Sequence, residues 1–193
     1  MAARFRPEFW HCPPRSISAP VRRLLLTVGG DERWKLTERL VEWIAGRLNV
    51  ETRLDVVVGP FFSGENRMRR AVEASPVNIR ILTDPDHLHG LMMQCDLVVC
   101  SGGQTAYELA AMGTPAVAMD VSRNQSLGVK ALARSGTLIY GGQPSSDTLP
   151  DELDVAFAEA SGQLCRQELS SSGQALIDGH GAIRIAHEIA TAF

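Results

Sequence analysis

The residues best placed to do chemistry are Ser101-Gly102-Gly103-Gln104-Thr105-Ala106-Tyr107-Glu108. They follow an apolar run, Leu97-Val98-Val99-Cys100, and precede the helix formers Leu109-Ala110-Ala111-Met112. The order is strand, glycine turn, helix. Paired glycines let a backbone approach a ligand without a Cβ in the way. The first-turn N–H groups of the helix lack intrahelical partners and carry the positive end of its dipole, so a phosphate is the natural guest. Gln104 and Glu108 are four residues apart on one helix face. A phosphate at the helix mouth leaves the Glu108 carboxylate one turn further in, within reach of a ribose diol. A solvated Glu on an ordinary strand-to-helix turn is the competing assignment.

The rest of the chain must position that turn. Leu24–Val28, Leu54–Val58, Val77–Leu82, Leu97–Cys100, Pro115–Met119 and Thr137–Tyr140 read as strands. Between them the pattern predicts a helix carrying Leu40, Val41, Ile44 and Leu48 on one face and capped by Asp31. Further helices are expected over Glu65–Ala74 (polar and Arg-rich, at the surface), Asp86–Gln94 and Gln125–Ser135. Gly113 and Pro115 stop the helix of the glycine turn. Two or three more helices make the tail, with a break at Asp178-Gly179-His180-Gly181. This alternation predicts one α/β domain, a Rossmann-like three-layer fold with a parallel sheet of about six strands.

In such sheets ligands lie beyond the carboxyl ends of the strands. Gly29-Gly30-Asp31, Leu82-Thr83-Asp84, Ser101–Glu108 and Ser122-Arg123-Asn124-Gln125 all fall there. Their convergence points to a nucleotide or phospho-sugar site. The dinucleotide fingerprint is absent: no GxGxxG follows the first strand and no acid stands about twenty residues on. Asn124 is also well suited to cap a helix, and the two roles remain open.

Composition narrows the class. At 193 residues and 45% hydrophobic content the chain can bury one good core. A net charge of −3 gives no bias toward nucleic acid or anionic membrane. No apolar run approaches the ~18–20 residues of a membrane span, and Arg4 and Arg6 are not followed by a signal-peptide core. Cys12, Cys95, Cys100 and Cys165 form no CxxC pair, which suits free thiols in a reducing cytoplasm. The five histidines are scattered, so neither a metal nor another cofactor is expected. Residues 1–22 hold Pro7, Pro13, Pro14 and Pro20, a spacing that excludes a helix or a central strand. They are expected to form an extended arm with aromatic anchors at Phe9 and Trp10, ahead of a domain over 23–193. Such an opening implies something that precedes it or docks on it.

Leu24–Asp31, Gly102-Gly103-Gln104-Thr105 with Glu108, Gly113-Thr114-Pro115 and Asn124-Gln125 together resemble the C-terminal half of a GT-B glycosyltransferase. In particular they resemble the nucleotide-binding half of the UDP-sugar hydrolase of pseudaminic acid biosynthesis and its spore-coat polysaccharide relatives. Arg6-Pro7-Glu8-Phe9 is similar to the segment joining the two halves there, and Leu176–Ala182 to that family's closing helix. One departure is Gly29-Gly30-Asp31-Glu32, where the family more often has a Ser before the acid. No side-chain phosphate contact is expected at that point.

The resemblance implies a site for UDP or a UDP-sugar. Glu108 would hold the ribose hydroxyls, and Gly102, Gly103, Gln104 and Thr105 the diphosphate. Gly29 and Gly30 would border it. The backbone at Leu82 and Thr83 would meet uracil, and Asn124 and Gln125 the distal phosphate or the sugar. It also implies a missing partner, because the family's catalytic His and acceptor loop belong to the other half. None of His11, His87, His89, His180 or His187 matches that His, so no catalytic residue is assigned. Three arrangements follow: a donor-binding subunit completed by a separate acceptor-half chain, a lone binding module without turnover, or a homodimer with residues 1–20 reaching across. The first is favoured.

Overall fold

A computed structural model describes residues 7–9, 12–29 and 35–192. The strands are β1 (Arg23–Thr27), β2 (Arg53–Val58), β3 (Asn78–Thr83), β4 (Leu97–Ser101), β5 (Ala116–Met119) and β6 (Ile139–Tyr140). The helices are α1 (Leu36–Ala45), α2 (Glu65–Ala74), α3 (Leu88–Gln94), α4 (Gln104–Met112), α5 (Arg123–Arg134), α6 (Leu149–Ser161), α7 (Gln163–Leu176) and α8 (Gly181–Thr191). All strand pairs are parallel, in the order β3-β2-β1-β4-β5-β6. The expected single α/β domain with a six-stranded parallel sheet is what forms.

Strand periodicity divides the core. Leu24, Leu26, Leu54, Val56, Val99, Val117 and Met119 meet α1, α2 and α6 on one face. Leu25, Val57, Val98, Cys100 and Ala118 meet α3, α4 and α5 on the other. β1, β2, β4 and β5 are buried on both sides along most of their length, which is why they read as largely apolar runs, whereas the edge strands β3 and β6 are only partly covered. Burial pushes the Cys95 and Cys100 thiols up to about 12. The strand order reverses between β1 and β4, so their two carboxyl-end loops flank the switch point.

Several boundaries differ from the sequence reading for identifiable reasons. β6 keeps only Ile139 and Tyr140, because the Thr137 N–H and hydroxyl both bond the Leu132 carbonyl and close α5 instead. Ser122, not Asn124, occupies the N-cap position of α5 with extended dihedrals, and the helix starts at Arg123. Asp31, the expected cap of α1, lies outside the described residues. α1 follows Lys35, which is left-handed at φ 47°, and ends before Gly46, so Leu48 packs from beyond the helix.

The arm is fastened to its own domain. Pro7–Phe9 forms one 3-10 turn, where proline suits the first position, and 12–22 contains neither helix nor strand. Phe9 is 1% exposed and stands edge-on to His89 at 5.2 Å. Trp10 lies outside the described residues. The Arg15 guanidinium donates to the Cys95 carbonyl and, at 3.0 Å, to the Thr114 hydroxyl. Arg166 donates to the Ala19 carbonyl at 2.6 Å and Gln174 to the Pro13 carbonyl at 2.9 Å. Asp96 accepts the backbone N–H groups of Arg22 and Arg23 at 2.8 and 2.9 Å.

Candidate functional site

The turn between β4 and α4 is built differently from a bare ligand cradle. The Gly102 N–H donates to the Met119 carbonyl at 2.6 Å, extending the sheet by one bond. A Cβ on Gly102 would stand 2.6 Å from the Val129 Cβ, so this glycine is required by the packing of α5. At Gly103 a Cβ would meet the Gln125 amide nitrogen at 3.2 Å. The expectation that Gly102 donates its N–H to a diphosphate is therefore corrected: that group is already used. What remains at the mouth of α4 includes the N–H groups of Gly103 and Thr105, which have no backbone acceptor among the described residues.

Glu108 is 6% exposed, one turn inside this mouth. Its Oε1 accepts a hydrogen bond from Gln104 Nε2 at 2.9 Å, the one its carboxylate takes among the described residues. The solvated-surface assignment is thus ruled out. Gln104 is exposed and Thr105 half-buried, so the face they share with Glu108 opens at the helix mouth. The pair follows from the spacing, because residues i and i+4 lie one above the other.

Gly29 sits at the carboxyl end of β1 with φ 81°, and among the described residues nothing lies within 4 Å of where its Cβ would be. Gly30 falls outside the described residues. Leu82 and Thr83 end β3 at the sheet edge, with Leu82 half-buried and Thr83 exposed. Asp84 then turns the chain at φ 43° while its N–H bonds the Val58 carbonyl. Three strand spacings, roughly 14 Å, separate β3 from β4. Leu82 and Thr83 share the strand-end surface with Glu108 but do not touch it.

The sequence reading missed a second cluster. Asp120 follows β5 and is 5% exposed. Its carboxylate accepts the Tyr140 hydroxyl at 2.7 Å and Gln143 Nε2 at 2.9 Å, with Lys130 Nζ at 3.8 Å. Burial alone would raise its pKa. The hydrogen bonds from Gln143, Tyr140 and Ser126, with the Lys130 ammonium, hold it below the ordinary carboxylate range. Beside it a cavity of roughly 440 Å³ lies between residues 121–124 and 143–145. Asn124 lines that cavity, its amide oxygen bonded by the Ser122 hydroxyl at 2.5 Å. Gln125 points back toward Gly103, and its buried Oε1 has no partner among the described residues. A larger cavity of about 700 Å³, lined by Val41, Ala45, Arg67 and Ala71, lies between α1 and α2, away from the strand ends. Among the described residues no three His, Cys, Asp or Glu side chains gather around one point, and no helix is long and apolar enough to cross a membrane.

A glycine turn at the switch point and a buried Glu one helical turn in are thus joined on one sheet edge. No family model matches the sequence. The solved structure of Acinetobacter baumannii MurG superposes at a TM-score of 0.71 and 20% identity, covering 93% of this chain and 55% of that one. The chain is a GT-B-like half domain. Two relatives agree in sequence. The Bacillus subtilis spore coat polysaccharide biosynthesis protein SpsG is 24% identical over 167 residues, 85% of this chain and 48% of its own length. The second is the Helicobacter pylori pseudaminic acid cytidylyltransferase and UDP-2,4-diacetamido-2,4,6-trideoxy-β-L-altropyranose hydrolase. It is 28% identical over 122 residues, 63% of this chain and 21% of its length. The chain spans about half or less of the length of these relatives, one named for spore coat polysaccharide biosynthesis and the other for pseudaminic acid and UDP-sugar chemistry.

Proposed function

We propose that this half domain binds the nucleotide-sugar donor of a glycosyltransferase or nucleotide-sugar hydrolase of surface polysaccharide synthesis, with a UDP-sugar as donor. The observation that carries the reading is Glu108: a buried carboxylate, bonded by Gln104, one turn inside the mouth of α4 at the β1–β4 switch point. A ribose diol there would donate to the carboxylate. The diphosphate would then meet the N–H groups of Gly103 and Thr105 and the Thr105 hydroxyl. Uracil would lie toward Leu82 and Thr83, with Gly29 and Gly30 bordering the diphosphate, and the sugar toward Asn124 and Gln125. The H. pylori relative, whose name includes a UDP-sugar hydrolase, supports uracil as the base.

On this reading catalysis needs a second, acceptor-binding half. The relatives and the MurG chain are about twice as long or longer, which leaves room in them for such a half. The described part of the arm, residues 7–9 and 12–22, is fastened to its own domain, which weighs against an arm reaching across a dimer. The test is thermal denaturation with UDP, GDP and CMP. A ligand at about 100 times its dissociation constant adds roughly 2.7 kcal/mol. UDP should stabilise most. Equal shifts with all three nucleotides would refute a site that reads uracil.

A further inference from the structure

The cavity beside α5 has walls of opposite construction. One wall, Ser122–Asn124, is the rigid start of a helix. The other, residues 143–145, is a loop after a two-residue strand and would be mobile if left to itself. It is pinned twice. Arg39 of α1 donates to the Pro144 carbonyl at 3.3 Å from one face of the sheet. Asp120 accepts from Gln143 at 2.9 Å from the sheet end itself. Tyr140 occupies the other Asp120 oxygen, and Lys130 lies 5.2 Å from the Tyr140 ring centroid and 3.8 Å from the carboxylate.

An apolar side chain would fill the space of Asp120 without the cost of burying a charge. It would not fix the direction of Gln143, whereas a carboxylate hydrogen bond does. The Asp120 side chain is 1% exposed and each of its oxygens already accepts a hydrogen bond, from Tyr140 and from Gln143, so little of it is left to meet a ligand first-hand. Its effect on the cavity passes through Gln143. The walls carry hydroxyls, amides and a guanidinium beside the apolar Val121 and Pro144 and the edge of Asp120, and the polar groups suit a polyhydroxylated ring. The volume, roughly 440 Å³, lies within the ~300–1,000 Å³ of small-molecule sites.

We propose that Asp120 is a positioning residue for donor discrimination: through Gln143 it fixes the loop wall against which the sugar of the donor is read. This rests on the donor-site reading above. It assigns no role to Asp120 in holding the nucleotide itself.

The experiment measures dissociation constants of UDP, UDP-glucose and UDP-N-acetylglucosamine by titration calorimetry on the full chain. The readout is the ratio of UDP affinity to UDP-sugar affinity, with melting curves for every variant. In wild type at least one sugar should shift the ratio from unity by about tenfold or more. Gln143→Glu sets two carboxylates against each other, and the ratio should collapse toward unity while UDP affinity stays within about twofold. The double variant Asp120→Asn with Gln143→Glu restores the bond with donor and acceptor exchanged, and the ratio should return to within about threefold of wild type. Tyr140→Phe, which deletes one bond and adds no charge, should move the ratio partway and keeps the test open if Gln143→Glu does not fold.

A wild-type ratio of unity for both sugars overturns the proposal, as does a ratio unmoved in Gln143→Glu and Tyr140→Phe. Parallel losses of UDP and UDP-sugar affinity, or a folded double variant without recovery, also overturn it. Failure of wild type to bind UDP at all refutes the donor site itself, a result distinct from the others.

Discussion

Replacing Glu108 by Ala is the sharpest perturbation of the proposed donor site. In the structure one carboxylate oxygen is engaged by Gln104 at 2.9 Å and the side chain is shielded from solvent. A ribose diol therefore has at least one strong acceptor, in a place where water competes poorly. Hydrogen bonds to a charged group contribute roughly 1.5–3 kcal/mol net, which corresponds to a 10- to 150-fold loss of UDP affinity. Fold stability should move little. The lost Gln104 bond costs about 1 kcal/mol, partly offset by the better helix propensity of Ala. Glu108→Gln keeps an acceptor and should lose less. The decisive assay is a cycle in titration calorimetry, wild type and Glu108→Ala against UDP and 2′-deoxy-UDP. Removing the 2′-hydroxyl should weaken wild type and leave the variant nearly unchanged. If Glu108→Ala binds UDP within about twofold of wild type while melting normally, the carboxylate does not hold a ribose and the reasoning fails.

Two further outcomes test the surroundings of the site. Gly102→Ala drives a methyl into Val129 and should cost about 1–3 kcal/mol in urea denaturation. Adding Val129→Ala should recover part of that loss, whereas simple addition of the two effects would show that the contact does not limit the site. Asp120 is held below the ordinary carboxylate range when folded. Its contribution to stability should be full above the unfolded carboxyl value of about 3.9 and be lost as pH falls through the depressed folded value. The stability difference between wild type and Asp120→Asn should therefore shrink on going from neutral to strongly acid pH. A constant difference in urea midpoints across that range would refute the assignment.

What the sequence revealed depended on whether the information was local. The run Leu24-Leu25-Leu26 declared a strand buried on both faces, and six such runs with helices between them implied the sheet. Gln104 and Glu108 were legible because helical spacing alone puts them together. Gly102 was misread because a glycine that admits a ligand and one that admits a neighbouring helix look alike until Val129 is placed beside it. Asp120 was missed for a related reason. Two of its partners, Tyr140 and Gln143, are 20 and 23 residues away, and the pairing of β5 with β6 is what brings them to it. A lone acid directly after an apolar strand, at the end where ligands collect, was the signal available.

The fastening of the arm has a consequence for biosynthesis. The carbonyls of Cys12, Pro13, Ile17 and Ala19 are held by Gln174, Gln163 and Arg166, up to 162 residues away. This stretch is thus made long before the residues that secure it. At ~5–20 residues per second it waits roughly 10–30 s for α7 to be made. Until then the surface of α4 that receives α7 is uncovered, a natural period for chaperone attention. By the same logic a nonsense mutation within α7 would loosen the protein at its opposite end, where proteases would meet a tail that the intact chain keeps tucked away.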